Sequence, residues 1–308
     1  MKAITTSFAM LAAASLAACA SMAGGASCDR TCLGGQLDGY LAAIKAHDMA
    51  RAQFAPDFRA TENGVTIAKG DGVARSITAL GEIQRRYFDP VTGQAAYLGL
   101  VQEGDTTALT AIRIRVENGK ISESETFIAR KGDTLFSPDG FKADPPRQNQ
   151  ALSASDRTPR AQMIAAANSY FEGLQRHDGS IVPKISGCNR LENGTKVTNR
   201  PPRAAPEAAP NVSAAQAAVE FGATDCTSGL DRMTQISGVA HRRFPLVDEE
   251  QGTVMGVGLF LRPPGQTGNF AKRNLLTEFF DIKGGKVAGI YAVMRYLEAD
   301  APDGTGWN

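Results

Sequence analysis

One sequence pattern occurs twice in this chain at a constant separation of 130 residues. Tyr40 aligns with Tyr170, His47 with His177, Asp48 with Asp178, and Glu62-Asn63-Gly64 with Glu192-Asn193-Gly194. Identical spacing across separate landmarks marks an internal duplication. The 308 residues are therefore expected to fold as two copies of one small unit, each with its own core. Farther along, Arg85-Arg86-Tyr87 recurs as Arg242-Arg243-Phe244, and Gly93 recurs as Gly252. The second copy is longer because residues 200–218, rich in proline and alanine, read as an inserted surface loop. Between the copies, 137–159 holds Pro138, Pro145, Pro146 and Pro159 among polar residues and reads as a linker. The expected divisions are a signal and tether at 1–27, a first domain at 28–136, the linker, a second domain at 160–299 and a tail at 300–308.

Each copy opens on an amphipathic helix, with Leu37, Tyr40, Leu41 and Ile44 at helical spacing in the first and Tyr170, Phe171 and Leu174 in the second. Alternating strands follow, so the expected class is α+β. The clearest pair runs from 106 to 117, turns at Asn118-Gly119 and returns over 120–130, a strong hairpin signal. Counting outward from that turn predicts Val116 opposite Ile121, Ile114 opposite Glu123 and Ile112 opposite Glu125. Glu123 and Glu125 are then expected on the apolar face with Phe127, while Arg113, Arg115, Ser122 and Ser124 take the solvated one. In the second copy, with Gly284-Gly285 as the turn, the same count sets Phe280 opposite Gly289 and Glu278 opposite Tyr291, and expects Glu278 in the layer of Glu125.

A carboxyl on an apolar face is desolvated, which raises its pKa and suits it to proton transfer near neutral pH. Glu125, Glu278 and Glu123 are thus candidate acids or bases, and Tyr291, with Tyr40 or Tyr170, a candidate for placing a substrate or stabilising an oxyanion. The alternative reading is that these glutamates lie exposed at strand ends or pair with arginine for structure. His47 and His177 are each followed by Asp, but neighbours on a helix point to different faces, so the step is no catalytic dyad. They are expected to close the first helix of each copy, with a substrate-facing role as the alternative. Glu62-Asn63-Gly64 and Glu192-Asn193-Gly194 read as turns, with Glu62 and Glu192 as candidate pocket residues because Glu recurs in both. No nucleophile elbow, phosphate-cradling glycine loop or metal-spaced His/Glu cluster is present, so no cofactor or metal is expected.

Lys and Arg number 33 against 32 Asp and Glu, which leaves no basic field for nucleic acid. Lys2 followed by an apolar, alanine-rich run over 3–20 has the form of a secretory signal. Leu16-Ala17-Ala18-Cys19 resembles a lipobox, with lipidation expected at Cys19; the alternative is ordinary cleavage near Ala18-Cys19-Ala20 or Ser21-Met22-Ala23. Export to the periplasm is expected, with membrane attachment through that lipid alone. Either route leaves Cys28, Cys32, Cys188 and Cys226, an even number suited to two disulfides. Of three connectivities, Cys28 with Cys32 and Cys188 with Cys226 is favoured, since the second pair lies within the second half; their spacings do not suit zinc.

The helix with an aromatic and a His-Asp step, followed by Phe54-Ala55-Pro56-Asp57-Phe58, resembles the SnoaL-like branch of the nuclear transport factor 2 superfamily. Cys28-Asp29-Arg30, Thr61-Glu62-Asn63-Gly64 and Arg242-Arg243-Phe244-Pro245-Leu246-Val247-Asp248 resemble a group of secreted tandem proteins of that type. The resemblance implies two tandem cone-shaped domains, each a curved mixed β-sheet packed on helices around an apolar pocket. It further implies a cofactor-independent lyase or isomerase acting on a small hydrophobic or aromatic ligand, or else a non-catalytic binding or envelope protein. A monomer or a dimer is compatible with it.

Overall fold

The computed structural model describes residues 28–199, 224–298, 301 and 305–307. The expected signal, the Cys19 lipidation site and the insertion at 200–218 lie outside the described residues.

Each half begins with a helix, α1 at Arg30–Lys45 and, in the second half, α4 at Arg160–Arg176. Asp29 caps α1 by accepting a 2.8 Å hydrogen bond from the Cys32 amide. The buried stripe is Leu33, Leu37, Tyr40, Leu41 and Ile44 in α1, and Met163, Ala167, Tyr170, Phe171 and Leu174 in α4. Both helices stop at the repeated histidine, which takes a left-handed backbone, φ 52° at His47 and 54° at His177. The aspartate after it caps a 3-10 turn, Asp48 accepting from Ala50 N and Asp178 from Ser180 N. The His-Asp step is thus a helix stop joined to a turn start.

In the first half β1 (Phe54–Glu62), β2 (Val65–Ile67), the short helix α2 (Val73–Ser76), β3 (Ala79–Asp89), β4 (Gln94–Glu103), β5 (Thr106–Glu117) and β6 (Lys120–Ala129) follow. The second half repeats the strands as β7 (Lys184–Glu192), β8 (Thr195–Lys196), β9 (Gly238–Asp248), β10 (Thr253–Leu261), β11 (Arg273–Lys283) and β12 (Lys286–Leu297). Each half is one six-stranded sheet, in the order β2-β1-β6-β5-β4-β3 and β8-β7-β12-β11-β10-β9. The pairs β1–β6 and β7–β12 are parallel and the rest antiparallel, so both sheets are mixed. Two similar α+β domains in tandem are therefore present.

One face of each sheet packs on its own helix and encloses that half's core. The opposite faces pack on each other. Leu98, Leu100, Leu109 and Phe127 of the first sheet share one buried cluster with Met255, Leu275, Phe279 and Val293 of the second. The stretch 137–159 is packed rather than loose. It includes α3 (Pro138–Ala143), whose Phe141 enters the interdomain cluster, and Phe136 bridges to Gly194 of the second half.

Candidate functional site

The two hairpins depart from the counted register, and the departure decides which side chains meet. Each return strand holds one extra residue just after the turn, a β-bulge that slips the pairing between Arg115 and Val116 in one half and between Asp281 and Ile282 in the other. Val116 does face Ile121, but Ile114 pairs with Ser124, Arg115 with Glu123 and Arg113 with Glu125. A one-residue slip moves every later side chain to the other face. Glu123, Glu125 and Phe127 therefore stand on the interdomain face, not on the apolar helix face, and Ser124 takes the inward place beside Tyr40. In the second hairpin Glu278 pairs with Ala292, and Tyr291 with Phe279. Glu278 keeps its inward position, whereas Tyr291 moves to the interdomain face. With the turns superposed Glu125 corresponds to Tyr291, so Glu278 and Glu125 occupy opposite faces rather than one layer.

Glu125 is 1% exposed and ion-paired twice. Arg113 Nε donates to it at 3.0 Å, and Arg243 of the other half grips it through both terminal nitrogens. Arg113 also reaches Gln94 and Glu123, and its guanidinium lies 5.1 Å from the ring centre of Trp307, which donates to the Thr61 hydroxyl. This network joins the two sheets and leaves the Glu125 carboxylate saturated, so it serves structure. Tyr291 lies among interdomain apolar groups, where burial raises its pKa.

Inside the second sheet the arrangement differs. Arg190 and Glu192 of β7 and Glu278 of β11 project toward Tyr170 of α4. Arg190 is fully buried. Its Nη1 donates to Tyr170 Oη at 3.1 Å, and its Nε lies 3.1 Å from Glu192 Oε1 as an ion pair without hydrogen-bond alignment. Among the described residues, Arg190 Nη2 and Glu278 Oε2 are buried with no hydrogen-bond partner. A cavity of about 30 Å³ opens beside Glu278, walled by Leu174, Ile236, Phe260 and Met294 and by the polar Gln235, Arg262 and Asn274. Burial raises the Glu278 pKa well above its ordinary value; the charge of Glu192 adds to this and Arg190 opposes it. Burial also raises Glu192, against the pull of Arg190 and Arg262. Burial likewise raises Tyr170. The Cys188–Cys226 disulfide, with Cα atoms 5.2 Å apart, ties β7 to the segment that covers this cavity. His177 closes the same side through a 2.9 Å contact from Nε2 to the Ile236 carbonyl.

The first sheet keeps the acid of Glu192 as Glu62 but lacks the other two charges. Ala60 stands where the second half has Arg190, and Ile112 where it has Glu278. Glu62 is engaged structurally, accepting from the Val73 amide at 2.6 Å and pairing with Arg130. Burial raises the Tyr40 pKa against its hydrogen bond to Ser124. His47 Nδ1 contacts the Ala74 carbonyl at 2.8 Å, the counterpart of the His177 contact. Cys28 and Cys32 form the other disulfide at the start of α1. The two disulfides together indicate an oxidising, exported setting. Among the described residues no helix is long and apolar enough to cross a membrane.

Sequence reasoning missed Arg190. Its signal was available: Cys188, Arg190 and Glu192 alternate onto one face of β7, and the repeat partner of Arg190 is the small apolar Ala60. A larger hollow of about 680 Å³ lies between the halves, lined by Arg30, Phe88, Asp89, Val247, Asp248 and Glu250 among others.

A solved structure, a protein of unknown function with a cystatin-like fold from Methylobium petroleophilum PM1, is 16% identical and covers 43% of this chain and 99% of its own, with a TM-score of 0.29. No curated protein matches the chain. A family model described as a domain of unknown function, DUF8021, matches residues 26–128 and 156–294, taking in both halves. The chain, with its two disulfide-bearing halves built on one plan, belongs to the DUF8021 family.

Proposed function

We propose that the second half is the working domain, a cofactor-independent lyase or isomerase that moves protons on a small hydrophobic or aromatic molecule. The observation that carries this reading is Glu278: a buried carboxyl whose Oε2 has no hydrogen-bond partner among the described residues, beside a cavity that mixes apolar walls with Gln235, Arg262 and Asn274. Glu278 acts as the general acid or base. Tyr170 accepts from Arg190, which leaves its own hydroxyl proton free to meet a substrate oxygen. The cavity of about 30 Å³ is smaller than such a molecule, so the segment tied down by Cys226 must yield for entry. On this reading the protein is of the nuclear transport factor 2-like type, is exported by residues 1–27 to the periplasm, and is held at the envelope by a lipid on Cys19.

The experiment is a screen of small aromatic and unsaturated carbonyl compounds in D2O, followed by NMR for deuterium entering at carbon. The wild-type protein is expected to catalyse exchange, and Glu278→Gln to lose it by about 100-fold or more. Equal exchange by both proteins would remove Glu278 from the chemistry. The second reading, a non-catalytic binding protein for a hydrophobic molecule, is favoured by the 680 Å³ interdomain hollow. It predicts binding shifts at Val247 and Phe88 with no exchange at all.

A further inference from the structure

We propose that the hollow between the halves is a binding site for an organic cation, an amine carrying an apolar chain or ring. The inference rests on the reading of that hollow as a binding site and names the charge of its ligand; it is separate from the proton transfer assigned to the second half. At about 680 Å³ the hollow has the size of a small-molecule site. Two equivalent turns form opposite parts of its wall. Residues 90–93 join β3 to β4, and residues 249–252 join β9 to β10. Asp89 pairs with Gln94 across the first turn and Asp248 with Thr253 across the second. Each turn ends on a left-handed glycine, φ 67° at Gly93 and 69° at Gly252. The backbone is thus repeated, but the side chains are opposite in kind. Pro90 and Val91 line the hollow from the first turn, and Glu249 and Glu250 line it from the second.

The formal charges of the wall leave a surplus on the acidic side. Asp248 is neutralised by Arg30, and Asp89 by Arg160. Glu249, Glu250 and Arg157 remain, which sum to one negative charge. The positive ends of the two helices are already met, α4 by Glu249, which accepts the Arg160 amide at 2.9 Å, and α1 by Asp29. Arg147 reaches the Gln251 carbonyl beside the acidic turn, but its charge is opposed by Asp281, and Lys283 nearby in the chain is paired with Asp156. An anion in the hollow would therefore face four carboxylates with Arg157 as the one lining cation not matched to an acid among the described residues.

The hollow already holds one organic cation, supplied by the chain itself. The Arg30 guanidinium lies 4.9 Å from the centre of the Phe88 ring, with Asp248 and, at 3.5 Å, Glu250 as its acids. A ligand ammonium meets the same chemistry at Glu249 and Glu250, whose carboxylates accept its N–H groups. Its apolar body lies against the opposite turn. Val91 there is 71% exposed, the most open of the large apolar side chains among the described residues, so it adds little to the core and offers its surface to the hollow. Phe88, Val247 and Pro159 continue that apolar wall. A molecule with a charged end and an apolar end matches both turns at once, whereas a wholly apolar one leaves the two glutamates to be desolvated without a partner.

The test is an NMR titration of the intact two-domain chain with three probes of one length, hexylammonium, hexanol and hexanoate, read at the amides of Phe88, Val91 and Glu250. Hexylammonium is expected to bind about tenfold or more tighter than hexanol, with hexanoate weakest. Butylammonium should bind more weakly than hexylammonium, by up to about fourfold for each methylene removed. Glu249→Gln combined with Glu250→Gln keeps an oxygen for the Arg160 amide, so the start of α4 stays capped, and should bring hexylammonium down to the level of hexanol. Equal binding of hexanol and hexylammonium by the wild type would overturn the cation while the hollow remains a binding site. Tightest binding of hexanoate would overturn it in favour of Arg157, and an undiminished preference for the amine in the double variant would remove Glu249 and Glu250 from recognition. Shifts from none of the three would overturn the binding reading together with the proposal. The deuterium-exchange assay of Glu278 is unaffected by any of these results.

Discussion

A single buried carboxyl can be costly or structural according to what faces it, and the two hairpin glutamates Glu125 and Glu278 fall on opposite sides of that line. Glu125 is saturated by Arg113 and Arg243. Removing its charge leaves the buried Arg113 with Glu123 as its one remaining acid and the part-buried Arg243 without an acidic partner, and breaking such a pair from one side costs up to about 3–5 kcal/mol. Glu125→Gln should therefore shift the urea midpoint far more than Glu123→Gln, whose half-open site limits the loss to about 1 kcal/mol or less; equal small shifts would show that the interdomain network carries no stability. Glu278 has the reverse sign. Burial and the charge of Glu192 raise its pKa above the ordinary 4.5, so the folded state holds its proton more tightly than the unfolded chain. Its contribution is full below about 4.5 and is lost as pH climbs toward the folded value, each pH step of one between the two values removing about 1.4 kcal/mol. Glu278→Gln should match the wild type near pH 4 and exceed it in stability at pH 7, as urea unfolding at the two pH values would read; a less stable variant at pH 7 would mean an ionised, compensated Glu278. Asp225 acts at the other end. Burial pushes it up, but the amides of Thr227 and Ser228 together with Lys184 bring it down to about 2, so its stability is present above about 3.8 and lost as pH falls toward 2.

The Glu-Asn-Gly turn shows why a motif repeats when its first residue does different work in each copy. Asn63 and Asn193 each take φ 47° and pair by side chain with a neighbouring strand, Asn63 with Ile128 N and O and Asn193 with Met294 N and O. The amide thus extends the sheet past the point where the backbone turns away. The following glycine is approached closely: a methyl on Gly194 would lie 2.1 Å from the Ser137 carbonyl oxygen. Gly194→Ala should cost clearly more than the strain of a left-handed alanine, about 1 kcal/mol, whereas Gly265→Ala, at φ 82° in open space, should cost only that strain. Equal thermal shifts would show that the crossing segment moves aside freely. The turn, the helices and the tandem plan were all legible in the repeat, since local spacing and helical periodicity dictate them. The bulges after Asn118-Gly119 and Gly284-Gly285 were not, because nothing in the alternation of 120–129 marks one residue as extra. That single unmarked residue carries Glu125 and Tyr291 away from the expected face. Glu278 keeps the expected face because β11 enters its turn without an insertion. Arg190 escaped notice because a lone arginine in a strand ordinarily reads as solvated.

The halves are joined by reciprocal exchange as well as by apolar packing. Arg30, at the start of the first helix, forms a two-pronged pair with Asp248 of the second half, and its repeat partner Arg160 forms the same pair with Asp89 of the first. Each aspartate also accepts from a backbone amide across the junction, Asp248 from Phe88 and Asp89 from Val247. The chain leaving β6 crosses to the second half at Gly194, and the chain beyond β12 returns to the first, where Gly306 meets Gly64 and Trp307 rests between Arg59 and Arg113. Every such contact is lost if the halves are parted, and the shared cluster with Tyr87, Phe127, Phe279 and Val293 is then laid open to water. An exposed apolar face of that breadth drives association. The two halves, 28–150 and 151–308, expressed separately should therefore aggregate or pair with themselves, whereas co-expression should give a soluble one-to-one complex. The intact chain should unfold in one cooperative transition by calorimetry, and Arg30→Ala with Arg160→Ala should lower its midpoint by more than either change alone. Two separated transitions in the intact chain, or two halves that are each soluble and monomeric, would show that the domains are independent and that the exchanged segments are incidental to the fold. In that case the first half would have no part in holding the second half's cavity in shape. A cooperative transition instead makes the first half, which lacks the counterparts of Arg190 and Glu278, the support on which the buried acids of the second depend.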